Sequence, residues 1–149
     1  MLEKVEWYFG LTEPKKGKSY YSLKAVKNEK GVISLEDYQI PHLLSYERIF
    51  NSCDKQYFLL HTKNRDFIVT FYGKRWYDPI ILATKEPVLG EYFYGYTLEN
   101  RYGKFFLDEY VTREVIKITE PAKKENPNLS KNLFICTTAD YNKYIVEVV

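Results

Sequence analysis

"ISLEDYQIPHLLSYERIFNSCD", residues 33–54, is the stretch whose reading decides the fold. Taken at a helical period, Leu43, Tyr46, Ile49 and Phe50 recur on one face, and Pro41 suits the first turn of a helix. The spacing therefore predicts a helix from about Pro41 to about Ser52. Almost everything outside it reads as strand.

Upstream, residues 3–10 and 18–26 form a hairpin around "TEPKKGK", with Pro14 and Gly17 as breakers. Downstream, residues 56–61, 67–72, 79–83 and 91–98 are short apolar runs joined by polar turns, and 105–118 reads as one long strand bent near Asp108 and Glu109. A last hairpin joins residues 133–138 to 143–149 through "ADYN". The short links favour antiparallel pairing, because a parallel crossover needs about a dozen residues or more. The expected fold is mainly β: an antiparallel, strongly curled sheet or barrel of about nine strands, with one helix near 41–52. No internal repeat stands out, and residues 1–149 read as a single β-rich domain.

Composition agrees with that class. Aromatic residues make up 17% of the chain, with 15 Tyr, while alanine and glutamine are scarce, a choice that favours strands over helices. A formal net charge of +2 sets up no strong global field, so any nucleic-acid footprint has to come from local patches. No run approaches the ~18 apolar residues of a membrane helix, so the expectation is an intracellular, cytoplasmic protein without a membrane partner. Cys53 and Cys136 make neither a disulfide framework nor a zinc site, and no phosphate loop or nucleophile elbow appears. No metal and no cofactor is expected, and the balance leans away from an enzyme.

Basic residues interleaved with rings carry the first functional expectation. Lys15, Lys16 and Lys18 lie in "KKGKSYYSLK", and Lys63, Arg65, Lys74, Arg75 and Trp76 lie in "KNRDFIVTFYGKRWYD". On a β-rich domain, cations on turns can hold phosphates while rings stack on bases. Nucleic acid is the expected partner. In "GEYFYGYTLENRYGKFF", residues 90–106, strand alternation puts Tyr92, Tyr94 and Tyr96 on one face and Phe93 and Gly95 on the other. Phe93 and Gly95 suit a close-packed core, whereas the tyrosine face is open to a flat ligand or a protein partner.

An alternative rests on Cys136, at the end of an apolar strand, with Lys143 on the next strand to favour a thiolate and His61 as a possible base. The sixty residues from Gly90 resemble, in outline, the C-terminal half of sortase transpeptidases, with Ile135 and Lys143 where that family has threonine and arginine. That resemblance implies a cysteine-dependent acyl transferase on a β-barrel.

Overall fold

The computed structural model describes residues 6–52, 55–71, 80–119 and 132–149. The described residues are organised as twelve strands in two six-stranded sheets. They contain no helix, so none is long and apolar enough to cross a membrane. The chain divides into two compact units, one gathering Met1–Val26 and Ser34–Tyr77, the other Lys27–Ile33 and Asp78–Val149.

The first sheet is built from β1 (Tyr8–Gly10), β2 (Tyr20–Lys27), β3 (Ile33–Ile40), β4 (Leu43–Ser52), β5 (Lys55–Thr62) and β6 (Asp66–Phe71), in the order β3-β2-β1-β6-β5-β4. The expected helix is therefore β4, paired antiparallel with β5 along its length. Its register shifts twice, between Leu43 and Ser45 and between Arg48 and Phe50. Each such bulge moves the side-chain alternation by one residue, so a period of two acquires spacings of three that imitate a helix. Leu43 is buried and Tyr46 packs its ring edge-on to Phe58 at 6.0 Å.

The second sheet comprises β7 (Ile80–Ala83), β8 (Tyr94–Arg101), β9 (Lys104–Val111), β10 (Val115–Thr119), β11 (Leu133–Thr138) and β12 (Lys143–Val148), in the order β10-β11-β12-β7-β8-β9. The single long strand expected over 105–118 is two strands, broken at Thr112 and placed at opposite edges of this sheet. Both sheets are mixed rather than antiparallel: β1 runs parallel to β6, and β7 parallel to β12. Short links do not forbid this, because the parallel partners are the first and last strands of each set of six. The four strands between them supply the crossover.

Matching β7 to β12 in turn with β1 to β6 makes the two strand orders identical. The registers agree as well. Tyr8 lies opposite Val69 and Lys24 in the first sheet, and Ile81 lies opposite Val146 and Thr97 in the second. Tyr20, Leu43, Phe58, Leu60, Phe67 and Val69 in the first core are answered by Phe93, Val115, Phe134, Cys136, Tyr144 and Val146 in the second. Each ring or branched side chain of this size adds ~1.5–3 kcal/mol by burial, so both cores rest on the same positions.

The chain thus holds two copies of one six-stranded design, contrary to the expectation of no repeat. The sequence carries it as "EPKKG" against "EPVLG", "LEDY" against "LDEY" and "FIV" against "YIV". The spacing drifts, from 73 positions between Pro14 and Pro87, to 72 between Leu35 and Leu107, to 77 between Phe67 and Tyr144. Without a constant period the likeness escapes a search for one.

Candidate binding surfaces

The β1–β2 loop is tied to the start of β4 by a pair of backbone hydrogen bonds. Pro14 is buried, Gly17 takes φ +83°, its N–H donates to the Leu43 carbonyl at 2.9 Å, and the Leu43 N–H donates to the Lys18 carbonyl at 3.0 Å. The β7–β8 loop repeats this device. Pro87 is buried, Gly90 takes φ +83°, and its N–H donates to the Val115 carbonyl, whose own N–H donates to the Glu91 carbonyl. Glycine is needed at both turns because a side chain disfavours the left-handed region.

On the first loop Lys15, Lys16 and Lys18 are all exposed. Tyr21 follows at the start of β2, half exposed, its hydroxyl donating to Asp37 at 2.6 Å. Lys63 and Arg65 lie on the β5–β6 turn. That turn follows Thr62, the strand partner of Leu43, so the turn and the lysine loop are both anchored on the start of β4. Lys74, Arg75 and Trp76 lie outside the described residues.

Arg65 is already engaged. Its guanidinium donates to Glu6 at 2.7 Å and to the Tyr8 hydroxyl at 2.6 Å, and sits 4.3 Å from the Phe67 ring centroid. Lys24 reaches the same carboxylate at 3.2 Å. Burial works against the Glu6 charge, but hydrogen bonds from Tyr8, Arg65 and Lys24 outweigh it and hold the carboxyl down at about 2. The Tyr8 phenol is pushed above its ordinary value by burial and by the carboxylate beside it. Nothing in the sequence pattern pointed to this network.

Glu6 gives a pH test. Its folded pKa lies below its unfolded value, so its contribution to stability is complete above about 4.5 and is lost as pH falls from there toward about 2. With a side chain about one-third exposed, the contribution is of the order of 1 kcal/mol after solvent screening. Denaturant midpoints of the wild type are expected to fall across that window by more than those of Glu6→Gln. Equal falls in the two proteins would show that Glu6 carries no such stability.

In the second unit Phe93 is buried in the core, and a Cβ on Gly95 would come within 2.7 Å of the Leu82 carbonyl. Tyr92 and Tyr94 are exposed, while Tyr96 is buried against Tyr94, ring centroids 5.9 Å apart. The Tyr94 phenol is held above its ordinary value by its hydrogen bond with Tyr96 and by Glu109. The open face is thus two tyrosines, and the third is packing.

Cys136 occupies the core position that Leu60 fills in the first unit, and burial pushes its thiol up to about 12. Tyr144 is its cross-strand partner, whereas Lys143 pairs with Thr137 and points to the opposite face. The lysine does not poise the thiol. His61 is held by Asp66 at 2.8 Å through Nδ1, with Glu47 3.8 Å from Nε2. Among the described residues no group of three His, Cys, Asp or Glu is placed to hold a metal ion.

No protein-family model matches this chain, no curated protein matches its sequence, and no solved structure matches its fold. The two units share one strand order and register, so their equivalent surfaces can be set against each other residue by residue.

Proposed function

We propose that the protein is a non-enzymatic β-rich binding protein that engages nucleic-acid phosphates through the β1–β2 loop. One observation supports this reading. Lys15, Lys16 and Lys18 project from a loop whose backbone is repeated in the second unit, where Val88, Leu89 and Glu91 stand at the same places. The loop does not need lysines, so their presence on one copy is a property of the surface rather than of the fold. Tyr21, at the same end, adds a half-exposed ring on which a base can stack.

Fluorescence anisotropy with labelled single- and double-stranded DNA and RNA at low salt tests the reading. Binding is expected to weaken steeply with salt, and Lys15→Glu/Lys16→Glu/Lys18→Glu to lower the log–log salt slope by roughly 2–3 while costing at least about a hundredfold in affinity. Undetectable binding of every probe at low salt would remove the proposal.

A second reading, a protein-interaction module, is favoured by the apolar character of the loop in the second unit. Val88 and Leu89 are both more than half exposed, as are Tyr92 and Tyr94.

A further inference from the structure

Six side chains gather at one end of the second unit: Val88, Leu89 and Tyr92 on and after the β7–β8 loop, Tyr94, its cross-strand partner Val111, and Ile116. Every one is more than half exposed. The hydrogen bonds that tie Gly90 and Glu91 to Val115 bring the loop against the start of β10, so the six form one surface. At the equivalent places the first unit carries Lys15, Lys16, Ser19, Tyr21, Gln39 and Leu44, also exposed. One scaffold thus folds with a mostly polar set at these positions and with a wholly apolar and aromatic one. Folding does not demand the apolar set, and exposing it to water has a cost that a binding partner would offset.

We infer that this end of the second unit is a self-association surface, on which a second copy of the chain docks the same patch across a two-fold axis. Size is the first argument. The six side chains present roughly 600 Å² per copy, so two copies meeting here bury about 1,200 Å², the lower bound for a stable specific pair. Charge is the second. Within three positions of the six along the chain, and at least partly exposed, Lys85, Arg113 and Lys117 stand against Glu86, Glu91, Glu109 and Glu114. A nearly balanced rim can face itself, because each copy offers both signs, as an isologous contact requires. An anionic lipid surface would instead call for an excess of lysine and arginine. The surface is distinct from the lysine loop of the first unit, so the inference does not rest on the nucleic-acid reading.

Sedimentation velocity over a concentration series tests it. The wild type is expected to pass from monomer to dimer in the micromolar range. Leu89→Gln/Tyr92→Ser/Val111→Gln places Ser19's and Gln39's residue types at their equivalents and leaves the charge unchanged. It is expected to dimerise at least about a hundredfold more weakly while keeping the wild-type circular dichroism spectrum and nucleic-acid affinity. Should the triple variant fail to fold, Leu89→Gln alone, at an exposed loop tip, is expected to weaken the dimer at least about fivefold. A wild type that stays monomeric at every concentration overturns the proposal, as does a folded variant that dimerises as well as the wild type. A monomeric wild type that binds neutral phosphatidylcholine vesicles would overturn it too, by assigning the patch to lipid.

Discussion

Gly10→Ala is expected to destabilise the protein by about 3 kcal/mol, and Tyr20→Phe in the same chain to return part of that loss. A Cβ on Gly10 would fall on the Tyr20 hydroxyl and lie 2.8 Å from ring atom Cε1. Gly10 does not take a positive φ, so alanine meets no backbone penalty there and the cost is steric. Tyr20 is almost wholly buried and its hydroxyl donates to the Thr12 carbonyl at 2.6 Å, which keeps the ring from swinging aside. The second unit has the complementary solution. Ala83 stands where Gly10 does and Phe93 where Tyr20 does, so a methyl takes the space that the hydroxyl occupies in the first. Tyr20→Phe alone is expected to cost about 1 kcal/mol through the lost hydrogen bond. Chemical denaturation of the four proteins in a double-mutant cycle measures the coupling, expected at about 1–2 kcal/mol and favouring the double variant. Additivity of the two losses would refute the exchange of hydroxyl for methyl.

The second large effect belongs to Gly95→Ser, expected to cost about 3 kcal/mol. A Cβ there would run into the Ile81 side chain and come within 2.7 Å of the Leu82 carbonyl oxygen, a backbone atom held in the β7–β8 ladder. The first unit carries Ser22 at this place, buried, with its hydroxyl donating to the Tyr38 carbonyl. Serine is therefore compatible with the design but not with the closer approach of β7 and β8. Gly103→Ser is the control. Gly103 has φ +81° and nothing within 4 Å of a Cβ, so only the left-handed backbone resists, at about 1–2 kcal/mol. If the two variants lost equal stability in the same denaturation assay, close packing at Gly95 would not be the reason for its glycine.

These two sites also show where the sequence was legible. Alternation through "YFYGY" assigned Phe93 and Gly95 to the core side, and the contacts of Gly95 give the physical reason for a residue without a side chain. The same alternation placed Tyr96 beside Tyr92 and Tyr94, yet Tyr96 is buried, because a strand face can be covered along part of its length only. Lysines on turns were readable as exposed. Arg65, written in the same kind of turn, is drawn back to Glu6, Tyr8 and Phe67, partners from a strand 57 positions away in the case of Tyr8.

From sequence alone came the β class, the hairpin around Pro14 and Gly17, the last hairpin of β11 and β12, and the division of "EYFYG" into faces. All of these depend on residues within a few positions of one another, where turn chemistry and alternation act. Tertiary structure decided that residues 43–52 form a strand, that each sheet carries at its centre a parallel join between its first and last strands, and that Cys136 stands at the place of Leu60. It also revealed the doubling of the whole arrangement. Those features depend on pairings between distant segments and on bulges that shift the phase of a strand. No local pattern records such pairings, and the two copies have drifted in length enough to hide the rest.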